Sequence, residues 1–124
     1  MINLRNELPV IRKLIESYKL WHEFVPHIPK TSRYTLGAKI DLLFLETIDR
    51  IFSAAYVSPN ERIFEIRKSA AKLDLLKFML QIAWEIKALD TKKYILLSGK
   101  LDEIGRMLGG WLKQLTLASC QNKR

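Results

Sequence analysis

The sequence predicts an all-α protein that folds as an antiparallel, up-down-up-down four-helix bundle. Apolar residues recur at three- and four-residue steps in four segments, and no segment alternates with the two-residue period of a half-buried strand. Prolines and glycines are few, and the prolines fall at or near the borders of those segments. A chain of 124 residues also has the length of one domain with one core.

The first two helices are separated by a proline-rich link. The first is predicted over about residues 8–25, where one face carries the apolar residues Leu8, Ile11, Leu14, Tyr18, Trp21 and Val25. Pro26 and Pro29 end it, because proline disfavours helical geometry in the residue before it. Thr31 or Ser32 is predicted to cap a second helix over about residues 32–56.

The next two helices have clear starting signals. Ser58, Pro59 and Glu61 have the spacing of a capping box with a first-turn proline, which predicts a third helix over about residues 59–88. Asp90 or Thr91 is predicted to cap a fourth helix over about residues 91–115. Its heptad seam consists of Tyr94, Leu97, Leu101, Ile104, Leu108, Trp111 and Leu115. Residues 1–118 therefore form the predicted domain, and residues 119–124 form a polar C-terminal tail.

The second and third helices carry more apolar surface than a bundle core needs. On the third helix the surplus lies at Leu75, Met79, Ile82 and Ile86. A central, well-covered helix would explain it, and so would burial between subunits. We favour a homo-oligomer, because soluble monomers rarely expose a contiguous patch of that size.

The fourth helix contains four glycines within its heptad pattern, at Gly99, Gly105, Gly109 and Gly110, the last of them just before Trp111. Each glycine destabilises a helix interior by about 1 kcal/mol relative to alanine. Either the helix ends at Gly109 and Gly110, or the small residues mark a close helix contact within or between subunits. The apolar phase continues at Trp111, which favours the contact.

The formal net charge of +8 favours acidic partners such as nucleic acid. The positive surplus lies mainly on the third and fourth helices. The third presents Arg62, Lys68 and Lys72 on one polar face, and the fourth presents Lys92, Arg106 and Lys113 on another. Such faces can contact phosphates without reading sequence, although an ordinary solvated face explains them equally well. No aromatic residues interleave the basic ones, so base stacking is not predicted.

Catalytic and metal-binding patterns are absent from the sequence. The single cysteine, Cys120, cannot form an internal disulfide, and His22 and His27 have no ligand partner at helical spacing. Asp41 lies on an apolar helical face, where we expect an exposed early turn rather than a contact with a basic partner. The sequence therefore predicts a non-enzymatic protein without cofactor or metal. With no signal-peptide pattern and no long apolar run, it also predicts a soluble, cytoplasmic protein.

Three stretches of the chain resemble a known family. They are DEIGRMLGGWLK at residues 102–113, LDLLKF at 73–78, and IPK with RYTLG at 28–30 and 33–37. Together they resemble the accessory variability determinant (Avd) proteins of diversity-generating retroelements, over about residues 8–115. A related group, the intervening-sequence proteins of ribosomal RNA genes, typically carries Asn-Ile-Ala-Glu-Gly near the second helix. This chain has IFSAAY at residues 51–56 instead, which favours the retroelement branch.

The resemblance implies properties that the residues alone do not. It implies a four-helix bundle that assembles as a barrel-shaped homopentamer with a basic surface. It also implies binding to the reverse transcriptase of the element and to its template RNA or cDNA, in support of mutagenic retrohoming. The alternative is an intervening-sequence-type bundle that binds nucleic acid without a reverse transcriptase partner.

Overall fold

The computed structural model describes residues 8–122, and every long element in that range is a helix. The helices are α1 (Pro9–Phe24), α2 (Ala38–Ala54), α3 (Pro59–Glu85) and α4 (Thr91–Asn122). No strand occurs among the described residues, so the all-α prediction is confirmed. Residues 1–7 of the predicted domain and residues 123–124 of the predicted tail lie outside the described residues.

Each helix packs against the next along the chain, and α4 returns to pack against α1, which closes a four-helix bundle. Every helix contributes one buried stripe at helical spacing, because only one face of a bundle helix meets the core. The largest fully buried side chains are Trp21, Phe44, Leu14, Ile40, Leu43, Ile51, Ile66, Leu73, Leu76, Leu80, Leu97 and Leu101.

The heptad seam predicted for α4 is confirmed in its central part. Leu97, Leu101, Ile104 and Leu108 are all buried. Tyr94, Trp111 and Leu115 are partly buried and pack against the core at either end of the seam. The helix continues through Asn122, beyond the predicted end near residue 115, so residues 119–122 of the predicted tail are helical.

The link between α1 and α2 is held by an arginine that the sequence analysis did not single out. A short 3₁₀ turn (Val25–His27) is followed by one α turn (Lys30–Ser32) and a π turn (Arg33–Gly37) that leads into α2. The Nη2 atom of Arg33 donates to the carbonyls of Pro26 and Ile28, each at 2.9 Å. The predicted cap at Thr31 or Ser32 is wrong, because helical structure begins at Lys30 without a side-chain cap.

The start of α3 follows the predicted pattern. Pro59 occupies the first turn, and the backbone N–H of Glu61 donates to the hydroxyl oxygen of Ser58 at 3.4 Å. This bond satisfies one of the amide groups that a helix start leaves without a partner. Ser58 is therefore confirmed as the cap of α3.

The end of α3 is a Schellman motif built around a lysine. The N–H of Ala88 donates to the carbonyl of Ala83 at 2.9 Å, and the N–H of Lys87 donates to that of Trp84 at 3.0 Å. Lys87 has φ of 64°, in the left-handed region that glycine usually occupies at this position. The helix therefore ends at Glu85, a few residues before the predicted end near residue 88.

Replacing Lys87 by glycine is expected to raise the free energy of unfolding by about 1 kcal/mol. The left-handed conformation strains an L-residue with a Cβ atom by roughly this amount, and glycine removes the strain. Urea denaturation of the wild type and the Lys87→Gly variant measures the change. An unchanged or lower midpoint would contradict the assignment of strain to Lys87.

The start of α4 is capped by Asp90, one of the two predicted residues. Its Oδ1 atom accepts from the N–H of Lys93 at 2.9 Å, and its Oδ2 atom accepts from the ammonium of Lys93 at 2.8 Å. The side-chain bond from Lys93, followed by the backbone bond, holds the pKa of the Asp90 carboxyl below its ordinary value.

This lowered pKa predicts a pH-dependent contribution of Asp90 to stability. The contribution is present above the aspartate pKa of the unfolded chain, about 3.9, and is lost as the pH falls through the lower folded-state pKa. Asparagine also caps helices, so Asp90→Asn removes the charge while keeping an acceptor. Urea midpoints are expected to be lower for the variant than for the wild type at neutral pH, and the difference is expected to shrink near pH 3. A difference that is the same at both pH values would contradict the prediction.

Among the described residues, no helix is both long enough and apolar enough to span a bilayer.

Candidate nucleic-acid interface

The outward side of α4 carries three of the predicted basic residues at regular spacing. Lys92, Arg106 and Lys113 are all exposed, and Gly99 completes a series of positions seven residues apart. Seven residues correspond to about 10 Å along a helix, so these positions form a straight line on one side. We call Lys92, Gly99, Arg106, Gly110 and Lys113 the α4 basic face.

The acidic residues of α4 are neutralised by lysines from the neighbouring helices. Asp102 pairs with Lys77 of α3 at 2.7 Å, and Glu103 pairs with Lys13 of α1 at 3.2 Å. Within residues 8–120, the three cations of the α4 basic face form no ion pair. Their charge is therefore available to an external anion.

The glycines of α4 lie in two different environments. A Cβ atom added to Gly105 would lie 3.6 Å from Leu73 Cδ2, an ordinary packing distance against α3. A Cβ added to Gly99, Gly109 or Gly110 would have no neighbour within 4 Å. The alternative of a close contact within one subunit is therefore wrong for Gly109 and Gly110. These two glycines instead leave the backbone open beside Arg106 and Lys113.

The basic residues predicted on α3 are engaged within the subunit. The ammonium of Lys72 pairs with Glu46 of α2 at 3.2 Å. The ammonium of Lys68 lies 4.0 Å from the centre of the Phe64 ring, a cation–π contact. Lys72 therefore contacts α2 and Lys68 contacts Phe64, and neither lysine belongs to the α4 basic face.

Arg62 is occupied more fully than the two lysines. Its Nε atom donates to the carbonyl of Ala54 at 2.8 Å, and its Nη2 atom donates to those of Val57 at 3.1 Å and Ala55 at 3.4 Å. These carbonyls lie at the end of α2 and in the turn that follows, where helix geometry leaves them without amide partners. The guanidinium of Arg62 therefore holds the α2–α3 turn, and its role in nucleic-acid binding stays a prediction.

The seam between α2 and α3 is acidic, in contrast to α4. A depression of about 350 Å³ is lined by Glu46, Asp49, Arg50, Ser53, Val57 and Glu65. Arg50 pairs with Glu65 at 3.2 Å. The positive charge of the protein is therefore unevenly distributed, with α4 as the helix whose outward side is basic.

The predicted apolar interface on α3 is partly accessible. Leu75 is 38% exposed and Ile86 is 55% exposed, whereas Met79 and Ile82 are half-buried. Trp111 of α4 is also half-buried and packs against the core. Other large apolar side chains exposed on α2, on α3 and in the turn between them are Leu42, Leu45, Phe52, Tyr56, Phe64, Phe78 and Trp84.

Asp41 has an internal role that its sequence position did not reveal. Its Oδ1 atom accepts from Nε1 of the fully buried Trp21 at 3.2 Å. Burial, followed by a hydrogen bond to Asp41, raises the pKa of the Tyr18 hydroxyl. The expected exposed early turn is therefore wrong, because Asp41 is half-buried and satisfies the indole N–H of α1.

No group of histidine, cysteine, aspartate or glutamate side chains that could hold a metal ion occurs in the described part of the chain. His22 and His27 are exposed, and Cys120 is exposed near the end of α4.

One functional candidate was missed by sequence reasoning. Trp84 near the end of α3 and Tyr94 in the first turns of α4 stack with ring centres 5.1 Å apart. The turn between these helices places Lys87 beside Trp84 in the lining of one depression, and Lys92 follows Thr91 of that lining in the chain. The residues are separated along the chain, so only the path of the turn, and no motif, could have indicated this aromatic and basic cluster.

A comparison with protein families gives a match. The family model described as bAvd-like matches residues 7–115, which includes the first three helices and most of α4. No curated protein matches the chain. Because the matched range covers most of the sequence, it confirms the resemblance to Avd proteins, and the chain belongs to the bAvd-like family.

Proposed function

We propose that this protein is a non-enzymatic accessory protein of a diversity-generating retroelement. In this proposal it assembles as a homo-oligomer, a pentamer by resemblance to the Avd family, and binds the reverse transcriptase together with template RNA or cDNA. It thereby supports mutagenic reverse transcription and retrohoming. Membership of the bAvd-like family and the α4 basic face support the proposal.

The α4 basic face is the observation that carries the nucleic-acid part of the proposal. Its cations are exposed, lie in a line along one helix, and keep their charge because Asp102 and Glu103 are paired elsewhere. The open glycines beside Arg106 and Lys113 allow a phosphate backbone to approach the helix closely. Contacts of this kind position a nucleic acid without selecting its sequence.

Assembly of several subunits would raise the affinity of the α4 basic face for nucleic acid. A single subunit has a formal net charge of +8, and a closed ring repeats the α4 basic face once in every subunit. Repetition raises affinity because several sites engage one polyanion at once. The exposed apolar residues of α2 and α3, which include Leu75 and Phe78, support burial between subunits.

A double charge reversal tests the nucleic-acid part. The variant Arg106→Glu with Lys113→Glu is expected to lower the affinity for RNA at least about 10-fold and to flatten the dependence of affinity on salt. The matched control is Lys19→Glu with Lys39→Glu, which reverses two exposed lysines on α1 and α2. Equal losses in the two variants would locate the binding outside the α4 basic face.

Co-purification tests the partner. When the protein and the reverse transcriptase encoded beside its gene are expressed together, they are expected to elute as one complex after nuclease treatment. A complex that dissociates on nuclease treatment would indicate a bridge through RNA. RNA binding without any association with the enzyme would favour an intervening-sequence-type protein.

Light scattering tests assembly. The wild type is expected to have a mass several times that of the 14.5 kDa chain. Leu75→Glu combined with Phe78→Glu is expected to reduce this mass, because a charge in an apolar interface loses hydration without a partner. Tyr34→Glu is the control, since Tyr34 is 74% exposed and lies before α2. A monodisperse monomer in the wild type would overturn the proposed assembly.

A further inference from the structure

The turn between α3 and α4 holds an indole ring in a fixed orientation. Trp84 and Tyr94 stack with an angle of 9° between their planes. The Nε1 atom of Trp84 donates to the hydroxyl oxygen of Thr91 at 3.0 Å. The stacked ring and the hydrogen bond together fix the plane of the indole before any ligand arrives.

Part of this indole remains open to solvent. Trp84 is 37% exposed, while Tyr94 stacks on one face of its ring. A depression of about 650 Å³ adjoins the ring and is lined by Trp84, Glu85, Lys87, Leu89, Asp90 and Thr91. This volume is in the range of cavities that take small molecules or a nucleotide-sized group.

The depression has charged residues of both signs in and beside its lining. Lys87 lines it and is exposed, and Lys92 is the exposed residue that follows Thr91. Of the two carboxylates, Asp90 is occupied by the ammonium and backbone N–H of Lys93. Glu85 is exposed and accepts from Gln81 at 3.2 Å.

The Schellman motif at the end of α3 fixes the backbone of Lys87. Its φ of 64° is the left-handed conformation that this motif requires at this position. The motif therefore sets the place from which Lys87 lines the depression.

We infer that this depression binds an unpaired nucleobase. The base stacks on the face of the Trp84 ring that Tyr94 does not cover, and the adjoining phosphate pairs with Lys87 or Lys92. Bases stack on aromatic side chains largely without regard to sequence. The inference rests on the proposed nucleic-acid function and deepens it, because it assigns single-stranded nucleic acid as the ligand. It also reverses the expectation that base stacking plays no part.

The location fits a strand that follows α4. Lys92 is both the first cation of the α4 basic face and a neighbour of the Trp84 depression. A single strand contacting Lys113, Arg106 and Lys92 in turn would therefore reach Trp84 at the end of the helix. A regular duplex cannot stack a base on the Trp84 ring, because its bases are already paired and stacked on one another.

The test compares a short oligouridylate, an oligothymidylate of the same length and a duplex RNA of that length at one salt concentration. Trp84→Leu is expected to lower the affinity for both single strands by about 5-fold or more and to leave the duplex affinity unchanged. Trp84→Phe is expected to retain most of the affinity, because it keeps an aromatic face. Tyr34→Leu is the control for loss of an exposed aromatic ring.

The Lys87→Gly variant is a second test of the site, and it leaves both Trp84 and Tyr94 in place. This variant loses one cation and relieves the backbone strain, so it is expected to fold and to bind the single strands more weakly. The slope of log affinity against log salt is expected to fall in magnitude by about 0.7, the value for one phosphate contact with a single strand. An unchanged slope and affinity would overturn the role of Lys87 in the site.

The outcomes separate this inference from the proposed function. Duplex binding together with unchanged single-strand affinity in Trp84→Leu would overturn the inference alone. Equal loss for all three ligands would assign Trp84 a structural role and would also overturn it. A changed assembly mass with unchanged single-strand affinity would show that the depression receives a protein side chain. If the wild type bound none of the three ligands, the inference and the proposed nucleic-acid function would fail together.

Discussion

Replacing Trp21 by alanine is expected to lower the free energy of unfolding by about 3–5 kcal/mol, the cost of removing a large aromatic side chain from a packed core. Trp21 is fully buried, and its ring lies 6.2 Å from that of Phe44 between centres. The substitution leaves a cavity and also removes the indole N–H that Asp41 accepts. Small domains are stable by only about 5–15 kcal/mol, so the urea concentration at the unfolding midpoint is expected to be much lower for the variant than for the wild type.

Urea denaturation followed by far-UV circular dichroism measures this loss. Trp21→Phe keeps a ring against Phe44, removes the hydrogen bond to Asp41 and leaves a smaller cavity than alanine does. It is expected to lower the free energy of unfolding by about 1–2 kcal/mol. Tyr34→Ala, at a position that is 74% exposed, is the control and is expected to change stability by less than about 0.5 kcal/mol. A Trp21→Ala loss no larger than that of the control would contradict the assigned core.

Replacing Arg62 by alanine is expected to lower the free energy of unfolding by about 2–3 kcal/mol. The guanidinium donates to three carbonyls around the α2–α3 turn, and hydrogen bonds from charged donors contribute about 1.5–3 kcal/mol each when both partners leave water. Arg62 is only half-buried, so solvent replaces part of the loss. Arg62→Lys is expected to recover less than half of it, because an ammonium cannot span the carbonyls as a planar guanidinium does.

The matched control for Arg62 is Arg67→Ala, an exposed arginine on the same helix that is expected to change stability by less than about 0.5 kcal/mol. RNA affinity gives the contrasting measurement. At a temperature where Arg62→Ala is folded, its affinity is expected to equal that of the wild type, whereas Arg106→Ala is expected to weaken binding. A loss of RNA affinity in Arg62→Ala would contradict this prediction and would indicate that Arg62 contributes to RNA binding.

Features governed by local spacing could be predicted from the sequence. The buried seam through Leu97, Leu101 and Leu108 follows from helical periodicity alone. Ser58 and Asp90 were recognisable as caps because a cap bonds to an amide only a few residues away. The all-α class follows from the same kind of information, since it needs only the period of the apolar residues.

Contacts that depend on the path of a turn could not be predicted. Arg62 belongs by spacing to a basic face of α3, but the α2–α3 turn brings carbonyl groups within reach of its guanidinium. Trp84 and Tyr94 meet only because the chain reverses between them. The left-handed conformation of Lys87 could not be predicted either, because it is a property of the Schellman motif and not of the residue type.

The open glycines of α4 also affect how firmly its far end is held. Leu108 is the last fully buried residue of the seam, and Gly109 and Gly110 follow it directly. Each glycine weakens the helix by about 1 kcal/mol, and the core contacts after Leu108 come from side chains that are only partly buried, so this segment is expected to open more readily than the rest of α4. Lys113 lies on that segment. If Lys113 binds phosphate as proposed, the bound phosphate is expected to hold this end of the helix closed and to protect its amides from solvent exchange, so that nucleic-acid affinity is coupled to the ordering of the last turns.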